Sequence, residues 1–132
     1  MHSSNREGAM RGVLIRVVAG VAVLGGVLAS CQAVGAEDET LQEGRELITE
    51  YGCGTCHAIP GVRGANGLVG PPLTKYHWRV WVAGQRDMPN TIDNTTRWIV
   101  EPQRHDPSTD MPDLGVSEEH AHKIAQYLDS LR

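Results

Sequence analysis

Cys53-Gly54-Thr55-Cys56-His57 is the stretch on which the reading of this chain turns. Two cysteines separated by two residues and followed at once by histidine form the attachment signature of a c-type haem. The chemistry accounts for the order. Each thiol can add across one porphyrin vinyl group, giving two thioethers that fix the macrocycle against a short turn. The adjoining histidine then offers a ring nitrogen to iron. Gly54 and Thr55 are small enough to let the backbone pass close to the haem edge. Two other chemistries use the same pair. A dithiol redox couple needs a buried strand and a βαβ context, and neither is visible; a zinc site needs a second ligand pair at similar spacing, which is missing. The expected cofactor is one haem c bound covalently through Cys53 and Cys56, with His57 as an axial ligand.

Upstream of the motif the character of the chain changes. Arg6, Arg11 and Arg16 precede Val17 to Ala29, 13 apolar or small residues without a charge. That length suits the apolar core of an export signal and falls short of the ~20 residues that span a bilayer. Residues 1–36 therefore read as a leader and residues 37–132 as one domain. Leu28-Ala29-Ser30-Cys31 has the form of a lipoprotein box, which makes Cys31 a lipidation candidate. Cleavage after Val34-Gly35-Ala36 and an uncleaved anchor stay open beside it. Either way the domain is expected on the periplasmic side of a bacterial cytoplasmic membrane, tethered by lipid or leader, or soluble after cleavage.

Cysteine use agrees with this division. Of three cysteines, two go to haem and the third lies at the leader boundary, so no disulfide is left to hold a small exported domain. A covalent apolar disc would supply the core that fewer than a hundred residues otherwise build only marginally. Residues 37–132 carry nine basic and fifteen acidic side chains, a net −6. Nucleic acid, which selects basic surfaces, is excluded as a partner.

Downstream, elements follow from caps and periodicity. Thr40 with Glu43 reads as a capping box, and Leu41, Gly44, Leu47, Ile48 and Tyr51 form one helical face that Gly52 ends. Ala58 to Pro72, with four glycines and three prolines, is a loop. Its apolar members Leu68 and Val69, with Leu73 just beyond, are candidates to rest on the haem. The Pro71 carbonyl is a candidate acceptor for the second ring N–H of His57, which would fix the ring. Tyr76 to Ala83 is aromatic and β-branched, so it is expected to be a short strand or irregular. Thr91 caps a helix that Pro102 stops, and Gln103 to Val116 reads as a loop. Ser117 caps a last helix whose stripe is Ala121, Ile124, Ala125, Leu128 and Leu131.

An electron-transfer haem takes a second axial ligand from its other face, and methionine there raises the potential. Met1 and Met10 belong to the leader, leaving Met88 and Met111. Met111 is expected, because its 54-residue separation from His57 lets the chain encircle a porphyrin more comfortably than the 31 of Met88. Met88 then reads as a packing or turn residue. His77, His105, His120 and His122 lack the spacing of a metal site.

Three runs together, the Cys53–His57 motif, Gly70-Pro71-Pro72-Leu73, and Met111-Pro112-Asp113-Leu114-Gly115 before a helix ending Tyr127-Leu128, resemble class I c-type cytochromes. Val82-Ala83-Gly84, Pro89-Asn90-Thr91 and Trp98 through Pro102 make the chain similar to small bacterial monohaem members, above all the cytochrome c domain fused to subunit II of some haem–copper oxidases. The likeness covers residues 40–132. It implies an all-α fold of about three main helices and loops wrapped around one haem. It further implies that Gly44 of the first helix meets Tyr127 of the last, and that Trp98 and Arg79 lie near the haem propionates. No copper-binding or subunit II transmembrane portion is present in the 132 residues, so the chain is not expected to be that oxidase subunit itself. The implied function is one-electron transfer, by a monomer, between a respiratory donor complex and a terminal oxidase or reductase, and not an enzymatic reaction. A ligand-binding or peroxidatic haem protein and an electron-entry subunit of a larger complex are the alternatives.

Overall fold

The computed structural model describes residues 38–132; the leader and Cys31 lie outside them. Helix α1 covers residues 38–50. Thr40, expected as its cap, is therefore already inside the helix. A hydroxyl three residues before a glutamate is compatible with helix interior as well as helix start, since neither side chain bars the helical backbone. The other end is where the sequence puts it. Gly52 adopts a left-handed φ of 70° and its N–H bonds back to the Thr49 carbonyl at 3.1 Å. An L side chain resists that conformation, so glycine is the natural stop.

The chain then runs through one-turn 3₁₀ segments at Cys53–Thr55, Tyr76–Trp78 and Val82–Gly84. The segment from Tyr76 is irregular, and the strand alternative is not realised. β-branched and aromatic residues favour extended backbone only where a neighbouring strand pairs with them. Here an isolated bridge between Trp81 and Pro89 is the pairing found, and left-handed Lys75 and Ala83 break the run at either end.

Helix α2, Ile92–Val100, starts at Thr91, whose Oγ1 accepts the Asn94 N–H at 3.2 Å. Such a cap contributes about 1 kcal/mol. Pro102 does end α2, but it also opens a single helical turn, α3, Pro102–His105. Proline suits a first helical position because its φ is preset and its missing N–H would lack a partner there anyway. Part of the segment expected as loop is thus helical. Helix α4, Glu118–Ser130, is capped by Ser117 Oγ on the His120 N–H at 3.2 Å, with Glu118 and Glu119 at its positive end. Val116 just before the cap and Ala121 in the first turn belong to one buried cluster, the arrangement of a hydrophobic staple.

α4 packs across both other long helices. Its contact with α1 is at backbone distance: a Cβ on Gly44 would fall 2.9 Å from Tyr127 Cβ and closer still to the Lys123 carbonyl oxygen. Gly44 is the residue that lets the helices cross, as the resemblance implied. Tyr127 goes on to donate to the Pro60 carbonyl at 2.7 Å, fastening the loop after the motif to α4. Ile48, fully buried, contributes about 2 kcal/mol of apolar burial at this crossing.

The core falls into two clusters. One joins α1, α4, the 59–65 loop, Tyr76 and Ile99, with Cys53 and Leu73 at its margin. The other consists of Val82, Met88 and Trp98, with Met111 at its margin. Among the described residues there is no strand, and no helix is long and apolar enough to cross a membrane.

Candidate haem site

The motif is shaped by its own backbone. Thr55 N–H bonds to Gly52 O at 3.0 Å, and Cys56 and His57 both donate to Cys53 O, at 3.2 and 3.0 Å. The resulting tight turn keeps both cysteines on one short arc. Two more bonds tie the following loop to it: Gly67 N–H to Gly54 O at 3.0 Å and Gly70 N–H to Cys56 O at 2.8 Å. Both thiols are unpaired and half-buried. Burial pushes the Cys53 thiol up from its ordinary value; a backbone hydrogen bond pulls the other way, and neighbouring Cys56 adds to the rise. A thioredoxin-like nucleophile needs the reverse shift. Nor does a second ligand pair come near: among the described residues no three His, Cys, Asp or Glu side chains group as metal ligands do.

His57 is aimed by its partner. Its Nδ1 lies 2.8 Å from the Pro71 carbonyl oxygen. A carbonyl only accepts, so Nδ1 carries the hydrogen, and in the neutral ring Nε2 keeps its lone pair for a metal. Gly70 makes the approach possible, because a Cβ there would stand 2.7 Å from Nδ1 and 3.0 Å from Nε2. This need for glycine went unread in the sequence, although Gly70 lies inside the quoted Gly-Pro-Pro-Leu run.

The structure distributes the remaining sequence candidates over two places. Leu73 is half-buried beside the first cluster and donates its N–H to Ala58 O at 2.8 Å. Arg79 bonds through Nη2 to the Pro72 carbonyl, next to the residue that holds His57, and its guanidinium sits 5.2 Å from the Tyr76 ring centre. Trp98 and Met111 are together at the second cluster, with Trp98 Nε1 donating to Met111 Sδ at 3.0 Å. The single indole N–H of Trp98 is directed at that sulfur. Met88 is buried in the same cluster, as a packing residue. Cys31 is outside the described residues.

These residues fit a covalent haem. Two unpaired thiols and an imidazole with an unengaged Nε2 occur on one turn, and a thioether sulfur waits at the margin of a separate apolar cluster. Leu68 and Val69 are 92% and 80% exposed, and Trp78, Val80, Trp81 and Leu114 are also open. Leu68 and Val69 belong to the loop tied to the motif, and exposed apolar side chains there are what an apolar disc would cover.

Residues 41–132 match the family described as Cytochrome c. The chain belongs to the cytochrome c family. The cytochrome c oxidase subunit 2 of Alkalihalophilus pseudofirmus is 34% identical over 96 residues, which cover 71% of this chain and 27% of that protein. The chain thus spans about a quarter of that relative's length. No solved structure matches it. The expected class I cytochrome c fold, helical and with its likeness to the oxidase subunit domain, is borne out. For a cytochrome c domain, family membership implies covalent haem c and supports haem-based electron transfer.

Proposed function

We propose that this cytochrome c is a one-electron carrier of a respiratory chain, with His57 and Met111 as axial ligands and Cys53 and Cys56 as thioether anchors of one haem. When bound, the haem iron supplies the one-electron couple. The protein's part is to hold donor atoms still. The Pro71 carbonyl fixes the His57 ring, so Nε2 is presented in one orientation and its basicity is raised. Met111 offers a soft, neutral sulfur, which favours the reduced iron and so a high potential. Nothing in this arrangement calls for a substrate pocket or an acid–base pair. The observation that carries the reading is the His57 Nδ1 to Pro71 bond of 2.8 Å, which readies Nε2 beside two unpaired thiols.

Cys31 in its Leu28-Ala29-Ser30-Cys31 setting supports lipid attachment, which would keep the domain at the periplasmic face of the membrane. A monomer facing a donor complex on one side and a terminal oxidase or reductase on the other fits these features. The relative named for an oxidase subunit favours a second reading, in which the domain delivers electrons from within a complex. Co-purification in mild detergent separates the two: a free carrier elutes alone, an entry module elutes with its oxidase.

The ligand assignment is tested on ferric holoprotein. The weak red-edge band of methionine-ligated haem is expected in wild type and should vanish in Met111→Ala. A band that survives the change, or is absent from the start, overturns it and leaves the open, ligand-binding haem in its place.

A further inference from the structure

Every polar atom of Met111 meets a side chain. Its N–H donates to Thr109 Oγ1 at 3.3 Å, its carbonyl accepts from Gln103 Nε2 at 2.6 Å, and its sulfur accepts from Trp98 Nε1 at 3.0 Å. The three partners come from the loop itself, from the single turn α3, and from α2. The residues on either side of Met111, Asp110 and Pro112, are exposed, and so is the whole run to Gly115. This stretch therefore has little packing to keep it in place. Met111 touches the small Val82–Met88–Trp98 cluster only from its margin.

We propose that Gln103 is a positioning residue for Met111: its amide, carried on α3, fastens the main chain of the loop and sets how often the thioether leaves its seat. The proposal rests on the assignment of Met111 as the sixth ligand. Gln103 is itself exposed, so its removal opens no cavity and the effect passes through the one hydrogen bond. α3 gives that bond its leverage. The turn is short, begins at a fully buried proline and is tied to the end of α2. A donor on a short turn anchored in this way is better placed to hold an exposed loop than one within the loop.

An added ligand can reach the sixth position only while Met111 is away. Its apparent affinity therefore scales with the fraction of protein in that state. One net hydrogen bond shifts such an equilibrium about fivefold.

Imidazole is the probe, titrated into ferric holoprotein of wild type, Gln103→Leu, Gln103→Glu and Met111→Ala. Before imidazole is added, both Gln103 variants should keep the methionine band. Both should then bind imidazole about fivefold more tightly than wild type. Gln103→Glu is nearly the same size, but an ionised carboxylate only accepts and cannot serve the Met111 carbonyl. Wild-type affinity in Gln103→Glu would show that the side chain merely fills space, and would overturn the proposal; so would wild-type affinity in both. A band missing from wild type, or persisting in Met111→Ala, would instead overturn the ligand assignment beneath it.

Discussion

Gly44→Ala should destabilise the protein, although the same change in an ordinary helix does the opposite. In an open helical site alanine is favoured over glycine by about 1 kcal/mol. At Gly44 the added methyl would stand 2.9 Å from Tyr127 Cβ and 3.0 Å from the Lys123 carbonyl carbon. Carbon atoms in contact need about 3.5 Å or more, so α1 and α4 must part by roughly half an ångström or the methyl must be squeezed. Lys123 presents backbone there, which cannot swing aside as a side-chain tip would. Overpacking of this kind costs about 1–3 kcal/mol, and separation also loosens Ile48, Leu47 and Ile124, which are buried in the same cluster. Because the methyl also runs into the Lys123 carbonyl oxygen, the cost lies in the upper part of that range, about 2–3 kcal/mol, and less the propensity gain of about 1 kcal/mol the net loss is about 1–2 kcal/mol. For a domain of this size that is a Tm lower by roughly 5–15 °C. Thermal and guanidinium unfolding of ferric holoprotein, followed by far-UV circular dichroism, measures it. A variant as stable as wild type, or more stable, would refute the close crossing.

Three further outcomes follow from the site and its surroundings. Gly70→Ala drives a methyl against the His57 ring, 2.7 Å from Nδ1, so the ring should leave the Pro71 carbonyl; a fall of about 1–3 kcal/mol in stability with lower holoprotein yield is expected, and unchanged stability and spectrum would contradict it. Trp98→Phe removes the N–H from Met111 Sδ; with Met111 as the proposed ligand, that bond draws charge from sulfur and disfavours ferric iron, so redox potentiometry should show a potential lower by about 20–65 mV for one net hydrogen bond, whereas an equal or higher potential would show that the bond does not tune the sulfur. Burial pushes the Tyr76 hydroxyl up from its ordinary value, with its bond to Thr95 opposing. The folded state thus holds that proton more tightly than the unfolded one, so the contribution is full below about pH 10, the ordinary tyrosine value, and is lost as pH rises through the higher folded value. Denaturant titrations at successive alkaline pH values should show a shallower loss in Tyr76→Phe, and identical slopes would rule the contribution out.

What could be read from sequence was what short-range chemistry dictates. Thr91, Ser117 and Gly52 mark helix ends because a cap is a contract among residues three or four apart, and the 53–57 motif is five residues long. Local patterns also mislead where they are compatible with two outcomes. Thr40 and Glu43 sit inside α1, and Pro102 both closes one helix and opens another. Tyr76 to Ala83 had strand propensity but lacked a strand to pair with, a matter decided by the tertiary structure. The bracket around Met111 was wholly hidden: Gln103 looks like any polar loop residue until the chain returns eight positions later and places a carbonyl before its amide. The same holds for Gly70, whose missing side chain matters only because His57 folds back over it.

The account stands on Cys53 and Cys56 being spent on one haem. Mass spectrometry of the mature protein, made in a host that assembles c-type cytochromes and probed with a thiol-alkylating reagent, tests this most directly. The mass of one haem should remain through denaturation, with Cys53 and Cys56 inert to alkylation. A chain of unmodified mass whose two thiols both alkylate would contradict it.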